Sequence, residues 1–280
     1  MNNEVKEKIK KVPILGPILS KLYWVFYIDR HNKKQLLKNR GLKNVEHGKK
    51  CFIIATGPSV KTLDLKVLTG ELCISVSNFF VHPDFNIIKP KYHIFVPLWP
   101  TVTEEQCILL FEDAEKYFPG GQNVLVAVTD RHIIEKNKLF LKQNIFYHYI
   151  GSNQLNAVSE IDFSKPIPEI QTSAQITIYL GLYLGCEKMY MLGCDHDWIL
   201  HYGETRHFYD EKSSAASRAG FNEWKNTDLE ITFMSYLNLW RIYKLIRVYA
   251  MSKGVSIYNS PTSLLDVFPK MTLEDFFSLK

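Results

Sequence analysis

The chain has 280 residues, 46% of them hydrophobic and 22% charged, which is ordinary globular composition and room for one α/β domain with an appendage or two small domains. Its 34 Lys and Arg against 29 Asp and Glu leave a net charge of +5, too weak a balance for nucleic-acid binding, and the aromatic residues are not interleaved with basic ones. Five cysteines with no C-x-x-C pair exclude a disulfide or zinc framework and point to a reducing compartment, so the expected location is cytoplasmic.

Residues 1–48 form a basic segment around the apolar run 11–28, which holds Tyr23, Trp24 and Phe26 and is broken by Pro13, Pro17 and Lys21. The run is too short and too broken to span a bilayer. Basic flanks beside aromatic and aliphatic residues suit an interfacial helix, and an amphipathic helix packed on the protein's own core fits equally. The expectation is peripheral contact with the inner face of the cytoplasmic membrane through residues 1–40.

From residue 49 to 280 the pattern alternates. Apolar runs predict strands over 51–55, 73–76, 92–96, 123–128, 189–192 and 255–258. Helices are predicted over 59–68, 104–118, 173–184 and 229–253. This order argues for a Rossmann-like, mostly parallel sheet covered by helices on both faces. Ligands of such sheets bind beyond the carboxyl ends of the strands. That rim holds 56–59, 77–78, 97–99, 193–197 and 259–263. A polar stretch over about 197–228 reads as a small lid crossing it.

The most informative stretch is the first strand running into Thr56-Gly57-Pro58-Ser59. Glycine permits a sharp turn or close approach, proline suits a first helical position and serine caps free amides, so a phosphate can sit there. An ordinary strand-to-turn junction is the competing reading. Asp195 and Asp197, one residue apart at a strand end, suit either a divalent ion carrying a nucleotide diphosphate or a cap with a solvated acid. His196, His201 and His207 lie close together with Tyr202, Arg206 and Tyr209. Their spacing does not match a helical metal pair, so they read as a general base with phosphate donors nearby. Thr172 and Ser173 open a helix and read first as caps.

These pieces in order resemble the bacterial sialyltransferases of glycosyltransferase family 42. The matching residues are 55–60, Asn78, Thr172-Ser173-Ala174, 184–190, Gly193-Cys194-Asp195, Lys225-Asn226-Thr227-Asp228 and Pro261 to Leu265, spanning about 50–265. The first strand and its Gly-Pro-Ser turn are also similar to a domain of flagellin-modifying and pterin diphosphokinase-like proteins. The resemblance implies an inverting transfer of sialic acid or a related keto-sugar acid from a CMP donor to a cell-surface glycan or glycolipid, as in lipopolysaccharide or capsule synthesis. It implies no cofactor and no metal, the nucleotide sugar being a substrate. Thr56, Gly57, Pro58, Ser59, Asn78, Thr172, Ser173, Asp195, Asn259 and Ser263 would then bind nucleotide and donor.

Three departures bear on the mechanism. Glu223 stands where the family has its catalytic His, the family's two phosphate-assisting Tyr fall near Asp197 and His207, and Leu98 stands where it has an Asn. His207 is therefore the first choice of base and Glu223 the second, with Arg206 and Tyr209 steadying the leaving phosphate. Two alternatives stay open. One is a diphosphokinase using Mg²⁺ or Mn²⁺ on Asp195 and Asp197, the other a catalytically silent nucleotide- or glycan-binding scaffold.

Overall fold

Along the first strand, Cys51 and Ile53 alternate with Phe52 and Ile54, and the two sets enter different cores. Successive side chains of a strand point to opposite faces, so a run with no polar member needs cover on both. The computed structural model describes residues 30–98, 102–156, 160–210 and 228–279. It contains seven parallel strands: β1 (Lys50–Ile54), β2 (Cys73–Val76), β3 (Tyr92–Ile94), β4 (Asn123–Ala127), β5 (Asn144–His148), β6 (Lys188–Leu192) and β7 (Ser256–Asn259). Their order is β5-β4-β3-β2-β1-β6-β7.

The helices are α1 (Arg30–Leu37), α2 (Phe85–Ile88), α3 (Glu104–Tyr117), α4 (Arg131–Asn137), α5 (Ser173–Leu184), α6 (Leu229–Ser252) and α7 (Leu273–Ser278). Ile176, Leu180 and Leu184 of α5 and Tyr243 and Ile246 of α6 cover the face of Cys51 and Ile53. Phe111 and Ala114 of α3, with Ile133 and Ile134 of α4, cover the face of Phe52 and Ile54. The result is a doubly wound α/β fold, and the sheet is wholly parallel rather than mostly so.

Local chemistry explains most boundaries. Thr103 and Gln106 form a reciprocal capping box at the start of α3, at 3.2 and 2.9 Å. The Asp228 carboxylate accepts the Ile231 N–H at 2.8 Å and starts α6, and Gly185, at φ 86°, ends α5.

The helix expected over 59–68 is instead two 3-10 turns, Pro58–Thr62 and Leu65–Leu68. Leu63 between them is extended, and Asp64 starts the second turn by accepting the Lys66 N–H at 3.2 Å. The expectations also omitted β5, α1, α2, α4 and α7.

Residues 30–48, grouped from the sequence with the basic N-terminal segment, are built into this body. Asn39 is fully buried and donates to the Tyr147 and Phe163 carbonyls at 2.6 and 2.7 Å. Glu46 is buried beside Lys49, Lys91 and the Tyr92 hydroxyl. Burial raises its pKa, but the two ammonium groups outweigh this and hold it below the usual carboxylate value. The apolar run 11–28 lies outside the described residues, as do Trp99, Glu223 and Lys225 to Thr227.

Candidate functional site at the switch point of the sheet

The chain steps outward from β1 to β5 and then returns to lay β6 on the other side of β1. Neighbouring connections leave these two strands in opposite directions, and sheets of this kind bind ligands outside the carboxyl ends of the strands at such a reversal. The residues singled out at the ends of β1 and β6 meet there. Two bonds extend the ladder past the strands, Ala55 N–H to the Leu192 carbonyl and Gly57 N–H to the Gly193 carbonyl, both at 2.9 Å.

This closeness explains both glycines. A Cβ on Gly57 would lie 2.5 Å from the Gly193 carbonyl oxygen and from Asp195 Oδ2. Gly193 has φ +65°, and a Cβ there would meet Val60 at 2.5 Å. Gly57→Val is therefore expected to lower stability by about 3 kcal/mol or more, since fixed backbone must move. A urea midpoint matching wild type would contradict this.

Asp195 holds the turn after β1. Its carboxylate accepts the Ser59 N–H at 2.8 Å and also the Ser59 hydroxyl. Burial raises its pKa, and the Ser59 bonds offset part of the rise. The remaining N–H groups of the turn are also engaged, Gly57 with the Gly193 carbonyl and Val60 with the Gly57 carbonyl; Pro58 has none. The Gly57-Pro58-Ser59 turn is thus organised around a carboxylate of the chain itself. Ser59→Ala is expected to cost about 1–3 kcal/mol, because it strips a partner from a buried acid. Equal thermal unfolding of variant and wild type would refute the bond's importance.

Residues 206–209 bend over the end of β1, and of the four only Phe208 is fully buried. Phe208 is buried, packs on Phe79 and His82, and its N–H reaches the Thr56 carbonyl at 3.0 Å. His207 and Tyr209 are half-buried, and their rings stack at 4.9 Å and 13°. His207 Nδ1 lies 3.3 Å from the Thr56 hydroxyl, and Asn78 Nδ2 donates to the Tyr209 hydroxyl at 3.1 Å. Ser77, with φ 50°, supplies the bend that delivers Asn78 from the end of β2.

Beside them Arg206 binds Asp197 at 3.2 Å and His201 Nε2 at 2.6 Å. A guanidinium only donates, so Nε2 of His201 accepts and its proton sits on Nδ1, which faces Glu204 at 3.5 Å. The two carboxylates of the metal alternative thus have different partners, Ser59 for Asp195 and Arg206 for Asp197. Among the described residues, no group of three or more His, Cys, Asp or Glu is arranged to hold a metal ion. His196 between them is half-buried, with its ring packed against Tyr243 and Trp240 of α6. Its ring bonds the Tyr243 hydroxyl at 2.8 Å, and burial pushes its pKa down to about 4.

The remaining expected residues have partners of their own. Thr172 and Ser173 open α5, where the Gln175 side chain accepts from the Gln171 and Thr172 N–H groups and donates to the Leu239 carbonyl of α6. Asn259 and Ser263, expected at a base or ribose, are buried and directed into the fold. Asn259 accepts the Ser260 N–H at 2.9 Å and donates to Leu265, and the Ser263 hydroxyl donates to the Cys194 carbonyl at 2.6 Å. They pin the loop after β7 against the end of β6. Asp130, which sequence reasoning missed, does the same for β3 by accepting the Leu98 N–H at 3.0 Å. Its place just after an apolar strand was the available signal.

Fold and site together define a doubly wound α/β protein with a polar His/Tyr/Asn/Arg cluster at its switch point. No protein-family model and no curated protein matches the sequence. Among solved structures it is similar to sialyltransferases of Campylobacter jejuni, the kind of protein the motif series resembles. CstII in complex with the substrate analogue CMP-3FNeuAc is 16% identical, with 80% of this chain and 86% of that chain covered and a TM-score of 0.46. Cst-I, a monofunctional alpha-2,3-sialyltransferase, is 15% identical over 80% and 81% of the chains, with a TM-score of 0.46. CstII with a trisaccharide acceptor and CMP is 14% identical over 80% and 86%, with a TM-score of 0.40. At such identity the likeness concerns the fold.

Proposed function

We propose that this protein is an inverting glycosyltransferase of the sialyltransferase-like kind. It moves a sugar from a nucleotide donor, CMP-linked sialic acid or a related keto-sugar acid, to a glycan or glycolipid. The supporting observation is that Thr56, Asn78, His207 and Tyr209, widely separated in sequence, join in one hydrogen-bonded and stacked cluster at the switch point. An acceptor hydroxyl oxygen attacks the anomeric carbon, the bond to the donor phosphate breaks, and its electron pair leaves on the phosphate. With Thr56 accepting from Nδ1–H, Nε2 of His207 carries the lone pair that takes the acceptor's proton. The Tyr209 hydroxyl and Arg206 donate to the departing phosphate. Residues 197–210, which hold Arg206, His207 and Tyr209, would shield the donor from water.

Thermal unfolding with a panel of nucleotide sugars tests the reading. A CMP-linked donor near 100 times its Kd should raise Tm by on the order of 5 °C, and NMR of the product should show an inverted anomeric centre. If no nucleotide sugar stabilises the protein or is hydrolysed, the silent-scaffold reading stands instead. ATP-dependent diphosphoryl transfer would establish the diphosphokinase alternative, which the separate engagement of Asp195 and Asp197 does not favour.

A further inference from the structure

Among the described residues, α6 carries more exposed large hydrophobic side chains than any other helix. Leu239, Ile242, Tyr243, Ile246 and Ala250 pack inward, so an ordinary surface helix would turn a polar face to water. On α3 the exposed positions are Glu105, Leu109, Glu112, Lys116 and Tyr117, three charged and two apolar. On α6 the exposed stripe is instead Met234, Leu237, Arg241, Lys244, Val248 and Met251. The spacing of three and four residues lines these up along one face, over about 26 Å of helix. The four apolar members are 44–66% exposed. Of the seventeen large hydrophobic side chains exposed among the described residues, seven belong to this helix.

Charge selects the occupant. From Ile231 to Lys253 the sequence has four cations (Arg241, Lys244, Arg247 and Lys253) and no Asp or Glu. Antiparallel pairing with a second copy, centred on the stripe, would match the apolar ends but set Arg241 against Lys244, a repulsive pair. An anionic lipid surface satisfies both parts, with apolar side chains entering the acyl boundary and cations meeting phosphates. A cavity of about 510 Å³ beside the stripe has two cations, Arg241 and Lys244, and one acid, Glu169, in its lining with Gln171 and Asn238, and offers space for a headgroup. No described helix is long and apolar enough to cross a membrane, so α6 would lie on the surface rather than span it.

We propose that the outer face of α6 docks on an anionic membrane. Its amino end and that of α5 both lie at the carboxyl rim of the sheet, so docking would hold the switch point near a lipid-borne acceptor. The docking itself does not depend on the sugar chemistry.

The test uses the full chain carrying an environment-sensitive dye on Val248→Cys, the five native cysteines being buried. The same dye on Leu109→Cys of α3 is the control. Vesicles of phosphatidylglycerol mixed with phosphatidylcholine should blue-shift the dye at 248 and not at 109, and pure phosphatidylcholine should shift neither. Arg241→Glu with Lys244→Glu should lower partitioning roughly tenfold or more, with an unchanged far-ultraviolet spectrum. An unshifted dye at 248 would overturn the proposal, as would undiminished partitioning of the double variant, which would assign binding to another segment such as 1–40. Dimerisation without lipid that Leu237→Glu abolishes would assign the face to a second copy and overturn it as well.

Discussion

His207→Ala is expected to lower turnover by roughly 10²–10⁴-fold while donor affinity stays close to wild type. The proton of the acceptor hydroxyl must leave as the new glycosidic bond forms, and a group that acts only there changes kcat more than binding. The imidazole is held on two sides, by the Thr56 hydroxyl at 3.3 Å and by the Tyr209 ring stacked at 4.9 Å. Thr56→Val should therefore reduce kcat through misorientation of the ring and leave KM little changed. Asn78→Ala, which frees the Tyr209 hydroxyl from its donor, should act on the leaving-group side. Full activity in His207→Ala alongside a dead Glu223→Gln would transfer the base to Glu223. Single-turnover kinetics with saturating donor separate these outcomes, because they report the chemical step apart from product release.

The second large effect is on stability against acid. His93 and His148 are fully buried and His196 is half-buried with its ring against Tyr243 and Trp240, and desolvation pushes their pKa values down to about 3, about 4 and about 4. Burial alone keeps them neutral; the Ser77 and Phe95 carbonyls, which accept from His93 and His148, offset part of that lowering. The unfolded chain protonates them near pH 6.5. Because the folded values are depressed, the stability they contribute is fully present above pH 6.5 and is lost as pH falls toward 4. His82, lowered by burial, acts in the same direction, while the raised carboxyl of Asp195 opposes it at the acid end of the window.

Near pH 5 unfolding should take up close to three protons from these groups. Stability should then fall by up to about 4 kcal/mol per pH unit. Urea unfolding at pH 7, 6 and 5 measures the slope directly. A midpoint independent of pH over that interval would show that the three rings are not shut away from protons.

The parallel architecture was legible because strands buried on both faces leave apolar runs such as Cys51 to Ala55, and because helices with strong ends announce them. The start and end residues of α5 were both readable from Thr172-Ser173 and Gly185. The edge strand β5 was not, since Asn144 and the partly exposed Ile145 and Phe146 carry no fully apolar pattern. The helix expected after Pro58 failed because Asp64 offered its backbone a competing local bond. Asp195 was noticed as a strand-end acid, but its partner was not, since Ser59 lies 136 residues earlier. Asn259 and Ser263 looked available at a rim, and only the packed loop after β7 showed their polar atoms already engaged.

What the sequence determined by itself is therefore local. It set which segments become buried strands, where helices begin and end, and which strand ends carry polar residues, because periodicity, capping and turn chemistry act over a few residues. The strand order, and with it the meeting of the ends of β1 and β6 at the switch point, was decided only by tertiary structure. So were the pairing of Thr56 with His207 and of Asn78 with Tyr209, the capture of Ser59 by Asp195, and the exposed apolar stripe of α6. These depend on contacts between residues far apart in the chain, and on which face of each element the rest of the fold leaves uncovered.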